Sequence, residues 1–243
     1  MKKILAVITA RGGSKGVPRK NIKNLNGKPV LWYSLSSCLK SKLLTHTIVT
    51  SDDDEIIEVA RSIGGEKILV KRPKELAEDN SPSIGAIQHA VHEIEKRDSI
   101  KFDYVVLIQP TTPFILPADI DECIKIAIKK KADTVVSVYE VNDSHPVKMK
   151  KIEKNGKLVP YVESLGETVF RRQDLPSAYK RNGGIYVNTR EVVMDKNSYH
   201  GTIGVCYPYV MPALCSVDIN DMVDFYLCEV VANILSEQGL FKQ

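Results

Sequence analysis

Acidic side chains are missing from the first fifty-one positions, where Met1 to Ser51 hold ten Lys and Arg and neither Asp nor Glu. Other absences narrow the field. The five cysteines (Cys38, Cys123, Cys206, Cys215 and Cys228) are scattered, with no Cys-x-x-Cys pair and no histidine at a zinc-like interval, so a disulfide scaffold or zinc ribbon is excluded and reduced, mostly buried thiols are expected. No apolar run approaches the roughly 20 residues of a membrane span, and the opening run is strand-length with no small-residue cleavage site. No membrane association and a cytoplasmic location are expected. Neither the Gly-x-x-x-x-Gly-Lys-Ser/Thr of a Walker A loop nor the Gly-x-Gly-x-x-Gly of a dinucleotide fold occurs, which removes the main support for kinase and dehydrogenase readings. A net charge of only +4 over 243 residues argues against a uniformly basic nucleic-acid binder, and no repeat or low-complexity tract is visible.

What is present is a chain of 43% hydrophobic and 26% charged residues, enough for one large α/β domain across 1–243. Short β-branched runs alternate with helix-period segments, the pattern of parallel strands joined by crossover helices. Strands are expected over 3–9, 47–51, 67–70, 104–109, 134–139, 184–188 and 204–207, and helices over 30–40, 54–63, 84–96, 118–130 and 222–237. Asp53, Asp54 and Glu55 crowd one helix start, and Lys129, Lys130 and Lys131 crowd one helix end, each complementing the macrodipole there. Residues 141–181 break the rhythm with Pro146, Pro160, Pro176 and many lysines, and read as a β-ribbon arm inserted in the domain. Such arms hide their strand edges against a second copy, so a homodimer is expected. The fold expected is thus α/β, a Rossmann-like and mostly parallel sheet with flanking helices and an inserted β-ribbon dimerisation arm.

The loop after the first strand, Arg11-Gly12-Gly13-Ser14-Lys15-Gly16-Val17-Pro18-Arg19-Lys20-Asn21, has the chemistry of a polyphosphate cradle. Glycines admit backbone N–H groups to phosphate oxygens, while Arg11, Lys15 and Lys20 neutralise their charge. Three further segments are expected at the same sheet rim, where open parallel sheets bind ligands: 72–83 after the third strand, 109–113 after the fourth, and 218–221 before the last helix. Ser81 or Asn80 reads equally well as an N-cap, and Asp221 as a capping carboxylate. His145 reads as a turn histidine more readily than as a base.

Together these segments resemble the acylneuraminate cytidylyltransferase family. The blocks that carry the resemblance are Ala10 to Gly16 with Pro18 to Asn21, Arg72-Pro73 with Leu76-Ala77 and Asp79, Gln109-Pro110-Thr111, Arg172-Gln173-Asp174-Leu175-Pro176, Asn182-Gly183-Gly184-Ile185-Tyr186, and Asp218-Ile219-Asn220. The resemblance implies CTP as one substrate and a nine-carbon 2-keto sugar acid (N-acetylneuraminate, legionaminate or another nonulosonic acid) as the other. An eight-carbon ulosonic acid is the alternative acceptor, and a non-enzymatic nucleic-acid binder the remoter rival. It further implies that Arg11, Lys15 and Lys20 are catalytic and that Gly12, Gly13 and Asn21 join them on the triphosphate. By the same likeness Arg72, Ser81 and Ser83 lie near cytosine, and Gln109, Lys148, Arg172, Asn182 and Tyr186 hold the sugar acid, from the same chain or a neighbouring one. Asp218 and Asn220 would hold Mg²⁺ or Mn²⁺. Where the family pattern has Asp-x-Asp this chain has Asp218-Ile219-Asn220, which weakens one ligand without removing it, since an amide oxygen suits a hard cation. Tyr199-His200 lies where neuraminate-using relatives contact the sugar's tail.

Overall fold

A computed structural model of the chain describes residues 2–141, 144–162 and 175–241. The main sheet has seven strands: β1 (Ile4–Thr9), β4 (His46–Ser51), β5 (Leu69–Lys71), β6 (Tyr104–Ile108), β7 (Thr134–Glu140), β10 (Tyr179–Thr189) and β11 (Cys206–Val210). Two small hairpins stand apart, β2 (Asn24–Leu25) with β3 (Lys28–Pro29), and β8 (Lys150–Ile152) with β9 (Leu158–Pro160). The helices are α1 (Val30–Lys40), α2 (Asp54–Gly64), α3 (Ser83–Asp98), α4 (Pro117–Lys130), α5 (Arg190–Met194) and α6 (Met222–Glu237).

The spatial order is β11-β7-β10-β6-β1-β4-β5. All pairs are parallel except those of β10, which runs antiparallel to β6 and β7. The chain steps outward from β1 through β4 to β5, then α3 carries it back to β6 on the other side of β1. That reversal makes a topological switch point between β1 and β6, where the loops at the strands' C-terminal ends part and leave a crevice.

Strand alternation sorts the core onto two faces. Ile4, Ala6 and Ile8 of β1, with Val106 and Ile108 of β6, pack with Leu31 and Leu35 of α1, Ile124 of α4 and Phe225 of α6. The intervening Leu5, Val7, Val105 and Leu107 pack with Ile87 and Val91 of α3 and with Val193 of α5. Two layers of helices therefore cover a sheet whose central strands are apolar on both sides.

Several boundaries differ from those expected. Residues 66–68 form a 3₁₀ turn ahead of β5, following Gly65 at φ +79°. The edge strand starts at Cys206 rather than Gly204, because Gly204 (φ +72°) sits against the Asp133 carboxylate, which also accepts from the Val205 N–H at 2.7 Å. Strand β10 extends back to Tyr179 and pairs with β7 on both sides of an irregularity between Arg181 and Tyr186. Among the described residues between β7 and β10 there is no α-helix, only a 3₁₀ turn at Pro146–Lys148 and two short strands. Those strands, β8 and β9, form the expected ribbon. His145 is locked there by both ring nitrogens, Nδ1 accepting from the Val147 N–H (3.2 Å) and Nε2 lying 3.0 Å from the Pro176 carbonyl, so it is a structural histidine. Cys38, Cys123, Cys215 and Cys228 are buried free thiols, and Cys206 is exposed and free. Among the described residues no helix is long and apolar enough to cross a membrane.

Candidate active site

A cavity of about 410 Å³ opens at the switch point. Its walls come from the loop after β1 (Arg11, Ser14, Lys15, Gly16, Lys20, Asn21), from Arg72 and Ser83 around the start of α3, from Gln109 to Thr111 after β6, and from Asp218 and Asn220 before α6. The four segments expected at one rim do meet there, although more than 200 positions separate the first from the last.

Ile219 is the knot that ties them. Its side chain is fully buried, its N–H donates to the Thr111 carbonyl (2.8 Å), and its carbonyl accepts from Lys20 Nζ (2.5 Å). Asp218 and Asn220, on either side of this anchored residue, are thereby turned toward the cavity. The loop after β1 reaches the same segment through Gly16, where a Cβ would stand 1.9 Å from the Asn220 carbonyl oxygen; only glycine permits that approach. Asn21, 6% exposed, braces the cradle by donating from Nδ2 to the Arg11 carbonyl at 2.9 Å.

The charges are uneven. Arg11, Lys15, Lys20 and Arg72 face one carboxylate, that of Asp218, across the cavity. Burial lowers the pKa of Lys20, an effect countered by Asp218 and Asp224 and reinforced by Arg11. Burial likewise lowers that of Arg72, whose Nη2 donates to the Thr50 carbonyl at 2.9 Å. Desolvated cations of this kind are strengthened by an incoming polyanion.

Asp218 Oδ1 is a buried atom with no hydrogen-bond partner among the described residues. Its other oxygen, Oδ2, accepts from Asn220 Nδ2 at 3.2 Å. A buried carboxylate oxygen left unsatisfied in a cavity wall is costly unless a cation or donor completes it. Among the described residues no cluster of three or more His, Cys, Asp or Glu could hold a metal by itself. The donor set is one carboxylate and one amide, which fits a hard divalent cation that keeps waters and leans on substrate phosphates.

Several residues expected at the site make framework contacts. The Gly12 N–H donates to Asp52 (3.1 Å), and a Cβ there would meet Asp53, so Gly12 seats the loop against α2, while Gly13 is open on all sides within 4 Å. Arg19, also in the loop, is held by Asp53 and Glu55. Ser81 does not line the cavity; its hydroxyl donates to the Glu75 carbonyl (2.5 Å), and the residue capping α3 is Pro82. Asp221, by contrast, does cap α6, accepting from the N–H groups of Val223 and Asp224.

Asn182 is 2% exposed, and its amide is spent within the framework. Oδ1 accepts from Ser137 Oγ (2.6 Å) and the Gly184 N–H (3.0 Å), while Nδ2 donates to Ser216 Oγ (3.0 Å) and contacts Met211 Sδ (3.1 Å). These bonds fix its amide in the framework, and the residue also lines a neighbouring cavity. Tyr186, 5% exposed, packs edge-on against Tyr199 and His200 at ring distances of 5.8 and 5.9 Å, and burial raises its pKa. Lys148 lies in the arm and lines neither this cavity nor its neighbour. Arg172 lies outside the described residues.

That neighbour was not foreseen. A second cavity of about 240 Å³ shares Asp218 and Asn220 with the first and is lined further by Tyr139, Lys180, Arg181, Asp224 and Leu227. Its cations directly precede the Asn182-Gly183 block, the one sequence signal that could have located them.

Comparison with known proteins agrees with this geometry. The family described as Cytidylyltransferase matches residues 5–206. The chain is 30% identical over 236 residues to a CMP-N,N'-diacetyllegionaminic acid synthase of Legionella pneumophila, covering 97% of this chain and 98% of the relative. It is 28% identical to a pseudaminic acid cytidylyltransferase of Campylobacter jejuni, covering 98% of this chain and 99% of that one. An N-acylneuraminate cytidylyltransferase of Escherichia coli is 32% identical, with 98% of this chain aligned to 54% of that longer protein. Among solved structures, a CMP:2-keto-3-deoxy-manno-octonic acid synthetase complexed with CTP superposes with a TM-score of 0.66 at 16% identity, covering 97% of this chain and all of that one, a likeness of fold. The chain belongs to the cytidylyltransferase family, among relatives that include the CMP-nonulosonate synthases.

Proposed function

We propose that this protein is a nucleotidyltransferase that activates a nine-carbon 2-keto sugar acid with CTP, giving the CMP-sugar and pyrophosphate. The observation that carries the reading is the buried Asp218 Oδ1, partnerless among the described residues and set in a wall opposite Arg11, Lys15 and Lys20, an arrangement suited to a metal-bound polyphosphate. In the reaction the anomeric hydroxyl oxygen bonds to the α-phosphorus of CTP and gives up its proton to water, while the bond from that phosphorus to the oxygen bridging it to the β-phosphorus breaks and pyrophosphate leaves. Arg11, Lys15 and Lys20 neutralise the negative charge gathering on the departing pyrophosphate. Arg72 and Ser83, which also line the cavity, take the cytosine. Asp218, assisted by the side-chain oxygen of Asn220, would hold Mg²⁺ or Mn²⁺, which would supply further charge neutralisation for the phosphates. Gln109 and the second cavity, with Lys180 and Arg181, take the anionic sugar, and Tyr186 bounds it from β10. Holding the two substrates in line removes roughly 7–11 kcal/mol of barrier by proximity alone.

The protein acts in the cytoplasm as a homodimer, its arm covered by a second copy. That assembly is supported by the exposed Ile152, Leu158 and Tyr161 of the hairpin region, at 75%, 67% and 63%. The deciding experiment incubates the protein with CTP, Mg²⁺ and a panel of nonulosonic acids plus an eight-carbon ulosonic acid, reading CMP-sugars by mass spectrometry and pyrophosphate release alongside. Formation of a nine-carbon CMP-sugar is expected. Turnover of the eight-carbon acid alone would reassign the acceptor, and absence of CTP binding by calorimetry would overturn the reading.

A further inference from the structure

Asp79 stands at the rim of the first cavity, and neither the cradle nor the metal position accounts for it. Its Oδ1 lies 3.1 Å from Arg11 Nη1 and its Oδ2 lies 2.7 Å from Lys15 Nζ, so one carboxylate spans two cations of the loop after β1. Both cations line the cavity and Asp79 does not. The carboxylate is brought there by a different element, the segment between β5 and α3. That segment is a tied turn: the Ala77 N–H donates to the Lys74 carbonyl (2.9 Å), and Ser81 bonds back to Glu75 (2.5 Å). Lys15 and Arg11 hold the Asp79 carboxyl below the usual carboxylate range, so it is an anion at neutral pH.

We propose that Asp79 is an internal counter-anion that competes with the outer phosphates of CTP for Arg11 and Lys15 and so weakens the protein's hold on pyrophosphate. The inference rests on the reading that these two cations receive the triphosphate. A pyrophosphate group brings more negative charge than one carboxylate and displaces it, yet leaves against a group tethered nearby that retakes both cations. Apparent affinity falls with the fraction of molecules in which the cations are free. The three side chains are 37%, 75% and 48% exposed, so each pair is of the weak, solvated kind, and the competitor is one that substrate overcomes. Asp79 thereby acts as a specificity-determining residue: it taxes ligands carrying the outer two phosphates and leaves a nucleoside monophosphate untouched.

The test compares wild type, Asp79→Asn and Asp79→Glu by calorimetry with inorganic pyrophosphate, CTP and CMP, at one fixed Mg²⁺ concentration and ionic strength. Asp79→Asn should bind pyrophosphate and CTP more tightly, by about 3- to 10-fold for two solvated pairs of this kind, with CMP unchanged; pyrophosphate should become a correspondingly stronger product inhibitor. Asp79→Glu, which retains the charge, should stay near wild type. Losing a merely structural residue would not improve binding. Unchanged or weaker pyrophosphate binding in Asp79→Asn overturns the proposal, as does an equal gain for CMP, which would mark a general field effect. Wild type that binds neither CTP nor pyrophosphate would instead overturn the nucleotide reading beneath it. Asp79→Ser, read the same way, serves should the amide variant fold poorly.

Discussion

Replacing Gly16 by alanine tests the architecture of the site through a single methyl group. The added Cβ would lie 1.9 Å from the Asn220 carbonyl oxygen, where ordinary contact begins at 3.4 Å, a shortfall of 3.4 − 1.9 = 1.5 Å. The obstructing atom is backbone, so no side-chain rotation relieves it. The cradle must part from the Asp218–Asn220 segment, which is pinned at Ile219 from both sides. Overpacking of this kind costs about 1–3 kcal/mol, equivalent to a fall in Tm of roughly 2–12 °C for a chain of this size. The catalytic effect should be larger, because parting the two loops separates the cations proposed to hold phosphate from the carboxylate proposed to hold the metal. A displacement near 1 Å costs about 10²-fold in rate, so kcat should fall by at least that factor. Gly13→Ala is the control, since nothing lies within 4 Å of its Cβ position, and its Tm should match wild type. Melting curves by circular dichroism and a continuous pyrophosphate-release assay read both quantities. Gly16→Ala with wild-type turnover would refute the idea that close approach of these two loops assembles the site.

Three further outcomes are expected. Arg11→Ala should lower turnover about 10²-fold or more while leaving Tm nearly unchanged, since among the described residues the half-exposed side chain bonds only to Asp79; steady-state kinetics check this. Asn220→Asp places a second carboxylate beside Asp218, now 3.2 Å from the Asn220 amide, so the variant should need less Mg²⁺ for half-maximal rate and should melt lower than wild type without Mg²⁺; a titration with no change would remove Asn220 from the metal shell. Asp53 is held below its ordinary 3.8 by the Arg19 hydrogen bonds and by the Ile56 N–H it caps, against a smaller opposing effect of burial. Its folded pKa is depressed, so its contribution is complete above the unfolded value and is lost as pH falls through the folded one. Arg19→Met should therefore reduce Tm at pH 5 to 7 and bring the Asp53 titration, followed by NMR, back toward 3.8.

The elements most readable in the sequence were those with strong local signals. Helices α1 and α6 fall where their periodicity places them, and the Asp53 cap of α2 is visible as an acidic cluster before an apolar run. The cradle could likewise be recognised from glycines and cations inside one short connection, because the chemistry of a polyphosphate site is contained in neighbouring residues. Other features had no local mark. The reversed direction of β10 depends on how the chain returns through the arm, and neither alternation nor composition encodes strand direction. The four framework contacts of Asn182 had no local mark either, because exposed and buried amides are indistinguishable in one dimension.

The sequence alone therefore determined the class of ligand and the alternation of strands and helices, since both arise from residue chemistry and short-range periodicity. Tertiary structure decided which charges meet. It paired Arg19 with Asp53 and Glu55, set Asp79 between Arg11 and Lys15, left Asp218 Oδ1 without a partner among the described residues, and opened a second cavity behind it. The paired charges lie 34 to 68 positions apart in the chain, and electrostatic energy depends on distance and burial in space, not on separation along the chain.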